Sequence, residues 1–126
     1  MAEMLRLAAV LYLIAIRQSF EIYPTRVTVQ IRKLSASIMT FEGSGPNQRI
    51  WEDHGLGLAG LWIMTAGAIL SDEKDKTAWF AKRLQDSICG LSVGTYGDLE
   101  DMLWGFSWID GIHGILLRTF RKKLIL

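Results

Sequence analysis

The sequence is poor in the residues from which cross-links and metal sites are built. Its 126 residues include one cysteine, Cys89, and two histidines, His54 and His113. A single cysteine excludes an internal disulfide and any zinc site made of several thiolates. The G-x-S-x-G, P-loop and H-E-x-x-H motifs are also absent. We therefore expect no metal and no cofactor, and we expect that the chain is not an enzyme.

An excess of charge of one sign is also lacking. The chain has 14 Lys and Arg against 13 Asp and Glu, a net charge of +1, whereas a nucleic-acid-binding face needs a local excess of Lys and Arg. A basic cluster near the C-terminus offers phosphate contact or nuclear import as alternatives. We favour a third interpretation, that these cations complement a helix dipole, and we expect no direct nucleic-acid contact. The cluster is Arg118, Arg121, Lys122 and Lys123.

Apolar residues are what the chain has in excess. Half of the residues are hydrophobic, only 21% are charged, and the mean hydropathy is +0.22. A small domain has a high proportion of surface and should be more polar than this. The composition therefore predicts apolar faces that another polypeptide covers.

Two long apolar runs raise the question of export or membrane insertion. Leu7 to Ile16 resembles the apolar part of a signal peptide, but no small-x-small cleavage site precedes Arg17. Gly55 to Leu70 contains no charge, yet it is shorter than the roughly 20 residues of a bilayer span. A small membrane-associated protein, inserted through these runs, stays an alternative. The first run also has helical spacing, which favours a buried helix, at Leu5, Ala8, Ala9, Tyr12 and Ile16.

Helical periodicity predicts an all-α fold, an irregular array of five or six helices in a single region, 1–126. Residues 1–41 should form two helices, the first from about Glu3 to Ser19 and the second from Thr25, just after Pro24. Residues 42–49 are rich in turn formers and predict a loop. Residues 50–126 should form three or four helices. The apolar stripe of the second helix is Val27, Ile31, Leu34, Ile38 and Phe41.

Boundary signals divide the second half of the chain. The third helix should run from Ile50 to Leu70, and Ser71 or Asp72 should cap the next, which should end at Gly90. Asp98 should cap a further helix, and Gly111 and Gly114 should kink or break the pattern. The face expected for that helix is Leu99, Met102, Leu103, Phe106 and Ile109.

The segment Gly55-Leu-Gly57-Leu-Ala-Gly60 matches the dinucleotide fingerprint G-x-G-x-x-G. That motif works only after an apolar strand, where its glycines turn into a helix beneath the pyrophosphate. The preceding segment, 49–54, is charged and aromatic. The glycines therefore favour close helix packing over nucleotide binding.

Two pairs of residues offer acid–base chemistry and define a second alternative, a small enzyme or enzyme subunit. Asp53 adjoins His54, but adjacent helical residues diverge by about 100°. Asp110 precedes His113 by three residues, so the two can share a helix face, although two ligands are too few for a stable metal site. Cys89 follows an apolar run, which favours a buried, inert thiol.

The order of several motifs along the chain resembles the order found in a known protein family. Trp51 precedes an apolar helix that contains Leu61 to Met64 and Ala66 to Ile69, a charged turn follows, and Trp79-Phe80 begins the next apolar face. Leu103-Trp104, Trp108 and Asp110 complete the order. From about Trp51 to Gly114 the chain resembles the C-terminal part of the fungal-specific transcription factor regulatory region, in the zinc binuclear-cluster factor family. Residues 5–13 and 24–34 resemble the preceding helices more weakly.

The resemblance implies a part of a larger helical regulatory domain, located in the nucleus and active in transcription through protein contacts. The partner would be a second copy of the chain or a larger transcription factor. The family's DNA-binding module needs six cysteines, so that activity is not expected here. The residues expected to serve packing or an interface, since aromatic side chains bury the largest areas, are Trp51, Trp62, Trp79, Phe80, Trp104 and Trp108.

Overall fold

The computed structural model describes residues 2–20, 27–43, 48–106 and 108–125. The all-α prediction is confirmed, and these residues contain no β-strand. Within them lie seven α-helices, one more than the upper prediction, with a short π-helix and a 3-10 turn. The elements are α1 (Ala2–Phe20), α2 (Thr28–Glu42), α3 (Gln48–Asp53), α4 (Gly57–Leu70), α5 (Lys74–Gly90), α6 (Tyr96–Trp104), the π-helix Asp110–Gly114, α7 (Ile115–Phe120) and the 3-10 turn Arg121–Lys123.

Helix α4 is the centre of the packing, and the other six α-helices all contact it. Each residue from Gly60 to Ala68 is buried. A helix that is apolar on every side requires burial on every side, and here α4 obtains it from the rest of the chain. The charge-free run from Gly55 to Leu70 is therefore mostly a core helix that the other helices of the chain cover.

Helices α1 and α2 each bury one stripe against the core. In α2 the predicted stripe is confirmed at Ile31, Leu34 and Ile38, which are fully buried. Thr25, the predicted first residue, lies outside the described residues. The buried face of α1 differs from the predicted one, since Ala9 is exposed. That face consists of Met4, Leu7, Ala8, Leu11, Ile14 and Ala15.

The predicted third helix, Ile50 to Leu70, is two helices. Gly55 adopts a left-handed φ of +66°, and its N–H donates to the Glu52 carbonyl at 2.9 Å. The Leu56 N–H donates to the Trp51 carbonyl at 2.7 Å. These two bonds form a Schellman motif, which ends a helix because the left-handed residue turns the chain away from the helix axis. The loop predicted at 42–49 is correspondingly shorter, because Glu42 belongs to α2 and Gln48 to α3.

Close packing against glycine is confirmed in α4. A Cβ added to Gly60 would lie 2.9 Å from Trp51 Cε3, and one added to Gly67 would overlap the Phe80 ring. A helix, α3, precedes Gly55–Gly60 where the nucleotide interpretation requires a strand. The glycines of α4 therefore admit aromatic rings from neighbouring helices.

Two helix caps differ from the prediction. Glu73 precedes α5 and makes no side-chain bond to that helix; its carboxylate instead accepts from Arg32 of α2. The Asp72 carboxylate accepts a hydrogen bond from Thr28 of α2 at 2.8 Å. Thr95, rather than Asp98, caps α6, and its hydroxyl accepts from the Asp98 N–H at 3.1 Å. Helix α5 ends at Gly90 as predicted, although the left-handed residue after it is Ser92.

The apolar face predicted to continue through Phe106 and Ile109 stops at Trp104, where α6 ends. The chain resumes as a π-helix from Asp110 to Gly114, which leads directly into α7. The break therefore comes before Asp110, earlier than the position predicted from Gly111 and Gly114. Phe106 and Ile109 are exposed. The end of α6 thus presents apolar residues to solvent.

Candidate functional site: the Trp104 surface and its aromatic support

Most of the aromatic residues predicted for packing or an interface lie in the core. Trp79 is half-buried, and its ring meets the edge of Phe80 with centroids 4.9 Å apart. Trp104 is the exception, with 57% of its surface exposed. The chain itself covers the buried rings, so these residues serve packing within its own core. The buried members are Trp51, Trp62, Phe80 and Trp108.

The solvent face of α6 and the turn after it form what we call the Trp104 surface, defined by Asp98, Asp101, Trp104 and Phe106. The three α6 residues are all exposed and are spaced by three, so each neighbours the next on the helix surface. The Gly105 N–H donates to the Asp101 carbonyl at 3.2 Å and fixes the turn. Phe106, 41% exposed, follows this turn. The surface therefore combines two aromatic rings with two carboxylates.

A row of five rings connects the Trp104 surface to the core. Phe106 stacks on Trp62 with centroids 5.0 Å apart, and Trp62 lies 5.9 Å from Tyr12 of α1. Tyr12 stacks on His113 at 4.1 Å and 8° between planes, and Trp108 lies 5.2 Å beyond His113. Such offset contacts contribute beyond the area they bury. Phe106 therefore rests on Trp62, which the rest of the row supports from the core.

His113 is a buried histidine whose two nitrogens both bond to backbone groups. It is 1% exposed. Its Nδ1 accepts from the Ile109 N–H at 3.1 Å, so the proton lies on Nε2, which donates to the Tyr12 carbonyl at 3.1 Å. Burial lowers the pKa of His113, against a smaller opposite effect of the two backbone hydrogen bonds. The neutral ring joins α1 to the π-helix.

Lowering the pH should reduce the stability of the fold through protonation of His113. Because its pKa is lower in the folded chain, the unfolded chain binds more protons below the ordinary pKa of 6.5. The contribution of neutral His113 to the free energy of unfolding is therefore complete above that pH, and it is lost as the pH falls toward the pKa of His113 in the folded chain. Urea unfolding from pH 7.5 to 4.5 should show the free energy of unfolding of the wild type converging on that of His113→Gln.

His54→Gln is the matched control, since His54 is exposed. It should follow the wild type at every pH. A constant difference between wild type and His113→Gln across this range would contradict the assignment of a neutral, buried His113.

The structure does not assemble the predicted acid–base pairs into a site. Asp110 contacts Arg118 through Oδ1 and Nη1 at 3.2 Å, and His113 is saturated by backbone bonds. Asp53 and His54 are exposed at the end of α3, where His54 lies 5.9 Å from the ring of Phe41. Sequence spacing correctly placed Asp110 and His113 in one helical segment, but each bonds elsewhere.

A buried ion pair, which the sequence did not reveal, joins α2, α3 and α5. The Arg83 Nε lies 3.3 Å from the Glu42 Oε1, and both side chains are less than a tenth exposed. Trp51 Nε1–H donates to the other Glu42 oxygen at 3.1 Å, and the Arg83 guanidinium lies 4.6 Å from the centre of the Trp79 ring. These polar contacts connect three helices within the core. The signal was the place of Arg83 on the apolar face of α5, four residues after Trp79.

The C-terminal cations are partly engaged within the chain. Arg121 lies over the Tyr96 ring at 4.4 Å, and Lys123 lies 5.2 Å from the centre of the Phe120 ring. Arg118 is also 3.9 Å from the Glu100 carboxylate. These contacts favour a structural role for the cluster over a free phosphate-binding face.

A cleft of about 360 Å³ lies beside the C-terminal turn, with Lys122 and Lys123 at its wall. Its hydroxyl groups belong to Ser71, Thr77 and Thr119. The hydroxyls of Ser71 and Thr77 bond to each other at 2.6 Å, and that of Thr119 donates to its own helix. The two lysines are exposed, so this cleft lacks a fixed set of donors.

Cys89 is exposed, which corrects the prediction of a buried thiol. It lies on the outer side of α5 next to the buried Ile88, and the Gln85 side-chain amide approaches its Sγ at 3.7 Å. The described residues contain no group of three or more His, Cys, Asp or Glu placed to hold a metal ion. None of the helices described here is both long and apolar enough for a bilayer span.

Comparison with protein-family models, curated proteins and solved structures finds no match for this chain. The likeness to the fungal-specific transcription factor region thus depends on the order of motifs described above. The geometry contributes a separate observation, the exposed aromatic and acidic Trp104 surface.

Proposed function

We propose that this chain is a transcription-regulator-like protein that acts through protein–protein contacts, without a zinc-cluster DNA-binding module of its own. The motif order from Trp51 to Gly114 supports the transcriptional role and a nuclear location. The Trp104 surface supports the mode of action. The partner is a polypeptide, either a larger transcription factor or a second copy of this chain.

The exposure of Trp104 is the observation on which the mode of action depends. Tryptophan is among the residues that most often dominate binding energy in protein interfaces. Large aromatic rings left in solvent beside one another mark interaction sites more often than isolated apolar residues do. Trp104 has 57% of its surface exposed, and Phe106, two residues later, is supported from below by Trp62. This arrangement offers a partner a rigid aromatic contact.

A reporter assay tests the proposal. The chain, fused to an unrelated DNA-binding domain, should change expression of a reporter gene that bears the matching operator in a fungal host. Trp104→Ala should lose most of this effect, because truncation of a central tryptophan weakens an interface by about 2 kcal/mol or more, roughly thirtyfold in affinity. The reporter signal at matched protein levels is the measurement.

Leu13→Ala is the control, since Leu13 is 59% exposed on α1. Both variants should keep the thermal stability of the wild type, because substitutions at exposed sites usually change it little. A fusion without effect on the reporter would contradict the transcriptional role. Equal activity of the two variants would contradict the role of Trp104.

A further inference from the structure

We propose that the partner of the Trp104 surface is a positively charged amphipathic helix of another polypeptide. Its apolar side packs on Trp104 and Phe106, and its Lys and Arg side chains face Asp98 and Asp101. This inference rests on the proposed function, because it names the kind of partner that the same surface binds.

The geometry of α6 separates a binding face from a core face. Tyr96, Leu99 and Leu103 are buried against the core, whereas Asp98, Asp101 and Trp104 lie along the exposed side. From Asp98 to Trp104 the helix rises about 9 Å at 1.5 Å per residue. Two turns of a partner helix span about the same length. Its residues at positions i, i+3 and i+4 can therefore reach the rings and the carboxylates together.

The Trp104 surface carries two carboxylates, Asp98 and Asp101, and no cation. Among the described residues, no salt bridge involves Asp98 or Asp101. The nearby Arg118 is engaged by Glu100 and Asp110. Complementary charge directs association and fixes the register of a partner, so a basic partner is favoured. Phosphate-bearing partners, such as nucleic acids and anionic lipid surfaces, would meet repulsion.

A helical partner fits better than an extended one. Extended segments usually gain affinity by adding to a sheet edge, and the described part of the chain has no strand to extend. The Trp104 surface instead offers side chains, with its rings at one end and its carboxylates toward the other. An amphipathic helix that crosses α6 can place its apolar face on the rings and the charged edge of that face beside the carboxylates.

A designed peptide of about 16 residues, with leucine on one helical face and lysine on the other, provides the test. Its affinity for the full chain is measured by isothermal titration calorimetry in 50 mM and 300 mM salt. We expect Trp104→Ala and the double variant Asp98→Asn/Asp101→Asn each to weaken binding at least tenfold at low salt. We also expect higher salt to weaken wild-type binding and to reduce the effect of the double variant. Replacement of the peptide lysines with glutamine should weaken binding to the same extent.

The control Asp53→Asn/Asp75→Asn removes the same charge from exposed positions on α3 and α5. It should bind like the wild type, which separates a local effect from one of net charge. Equal weakening by both double variants, or full affinity after Asp98→Asn/Asp101→Asn, would overturn the basic-helix proposal. Self-association that the Asp98 and Asp101 changes abolish would assign the surface to a second copy and also overturn it. In each case a reporter effect that depends on Trp104 would leave the proposed function in place.

Discussion

Replacement of Arg83 with methionine should lower the free energy of unfolding by about 3–5 kcal/mol, the usual cost of leaving one partner of a buried ion pair alone. Methionine is a long, uncharged side chain, so the variant loses the ion pair with Glu42 and the guanidinium contact with the Trp79 ring while the site stays filled. Glu42 would stay buried, with the Trp51 indole as a remaining donor. The total free energy of unfolding of a domain of this size is only about 5–15 kcal/mol. Urea titration with two probes, circular dichroism and tryptophan fluorescence, measures the change.

A double variant identifies the cause. Glu42→Gln removes the charge and keeps an oxygen for Trp51, so Arg83→Met/Glu42→Gln should recover at least half of the lost stability. Arg32→Met is the control, because Arg32 forms an exposed pair with Glu73 at 2.9 Å, and exposed pairs contribute little. Additive losses in the double variant, or equal losses at Arg32 and Arg83, would show that the buried charge is not responsible.

The second large effect is expected at Phe80, the ring that fills the space beside Gly67. Phe80→Ala should cost about 3–5 kcal/mol, from lost burial and the cavity that remains. Gly67→Ala in the wild type should cost about 1–3 kcal/mol, since its new methyl group overlaps the fully buried Phe80 ring. In the Phe80→Ala background, Gly67→Ala should leave the free energy of unfolding unchanged or raise it by up to about 1 kcal/mol, because alanine favours the helical conformation more than glycine does.

The change in the effect of Gly67→Ala between the two backgrounds is measured as a double-mutant cycle by thermal and urea unfolding. Gly97→Ala is the control, since Gly97 lies in α6 with only the Thr95 hydroxyl, at 3.8 Å, near its added Cβ. It should have the same small effect in both backgrounds. A Gly67→Ala effect that does not depend on Phe80 would exclude the overlap as its cause.

Local patterns in the sequence predicted the helices well and their ends less well. The stripe of α2 and the end of α5 at Gly90 follow from spacing and composition. The break at Gly55 could not be predicted from spacing, because the sequence does not distinguish a helical glycine from a left-handed one. The hydrogen bonds to Trp51 and Glu52 make that distinction. Caps failed for a similar reason, since Asp72 bonds Thr28, 44 residues earlier.

The polar sites of the core depend on contacts distant in sequence. His113 bonds the Tyr12 carbonyl, 101 residues away, and no local pattern indicates such a pair. Glu42 seemed to be the first residue of a loop, although it is the last of α2 and meets Arg83. Apolar periodicity does not predict the burial of His113 or Glu42, because that burial is determined by a partner; of these polar groups only Arg83 lies on a predicted apolar face.

The Trp104 surface was only partly predictable. The apolar face expected for α6 included Leu103 but not Trp104, which lies about 100° away on the helix. That spacing was a signal that Trp104 faces solvent. The high mean hydropathy led to a different interpretation, in which every tryptophan needs a covering partner. Most of that excess instead belongs to α4, which the other helices cover.

Photo-crosslinking at position 104 tests most directly the claim that this chain binds a protein through Trp104. A photoreactive phenylalanine derivative replaces Trp104 in one sample and the equally exposed Leu13 in another, within cells that express the full chain. We expect a discrete polypeptide adduct from position 104 and none from position 13. Adducts of equal yield at both positions, or no polypeptide adduct at position 104, would contradict it.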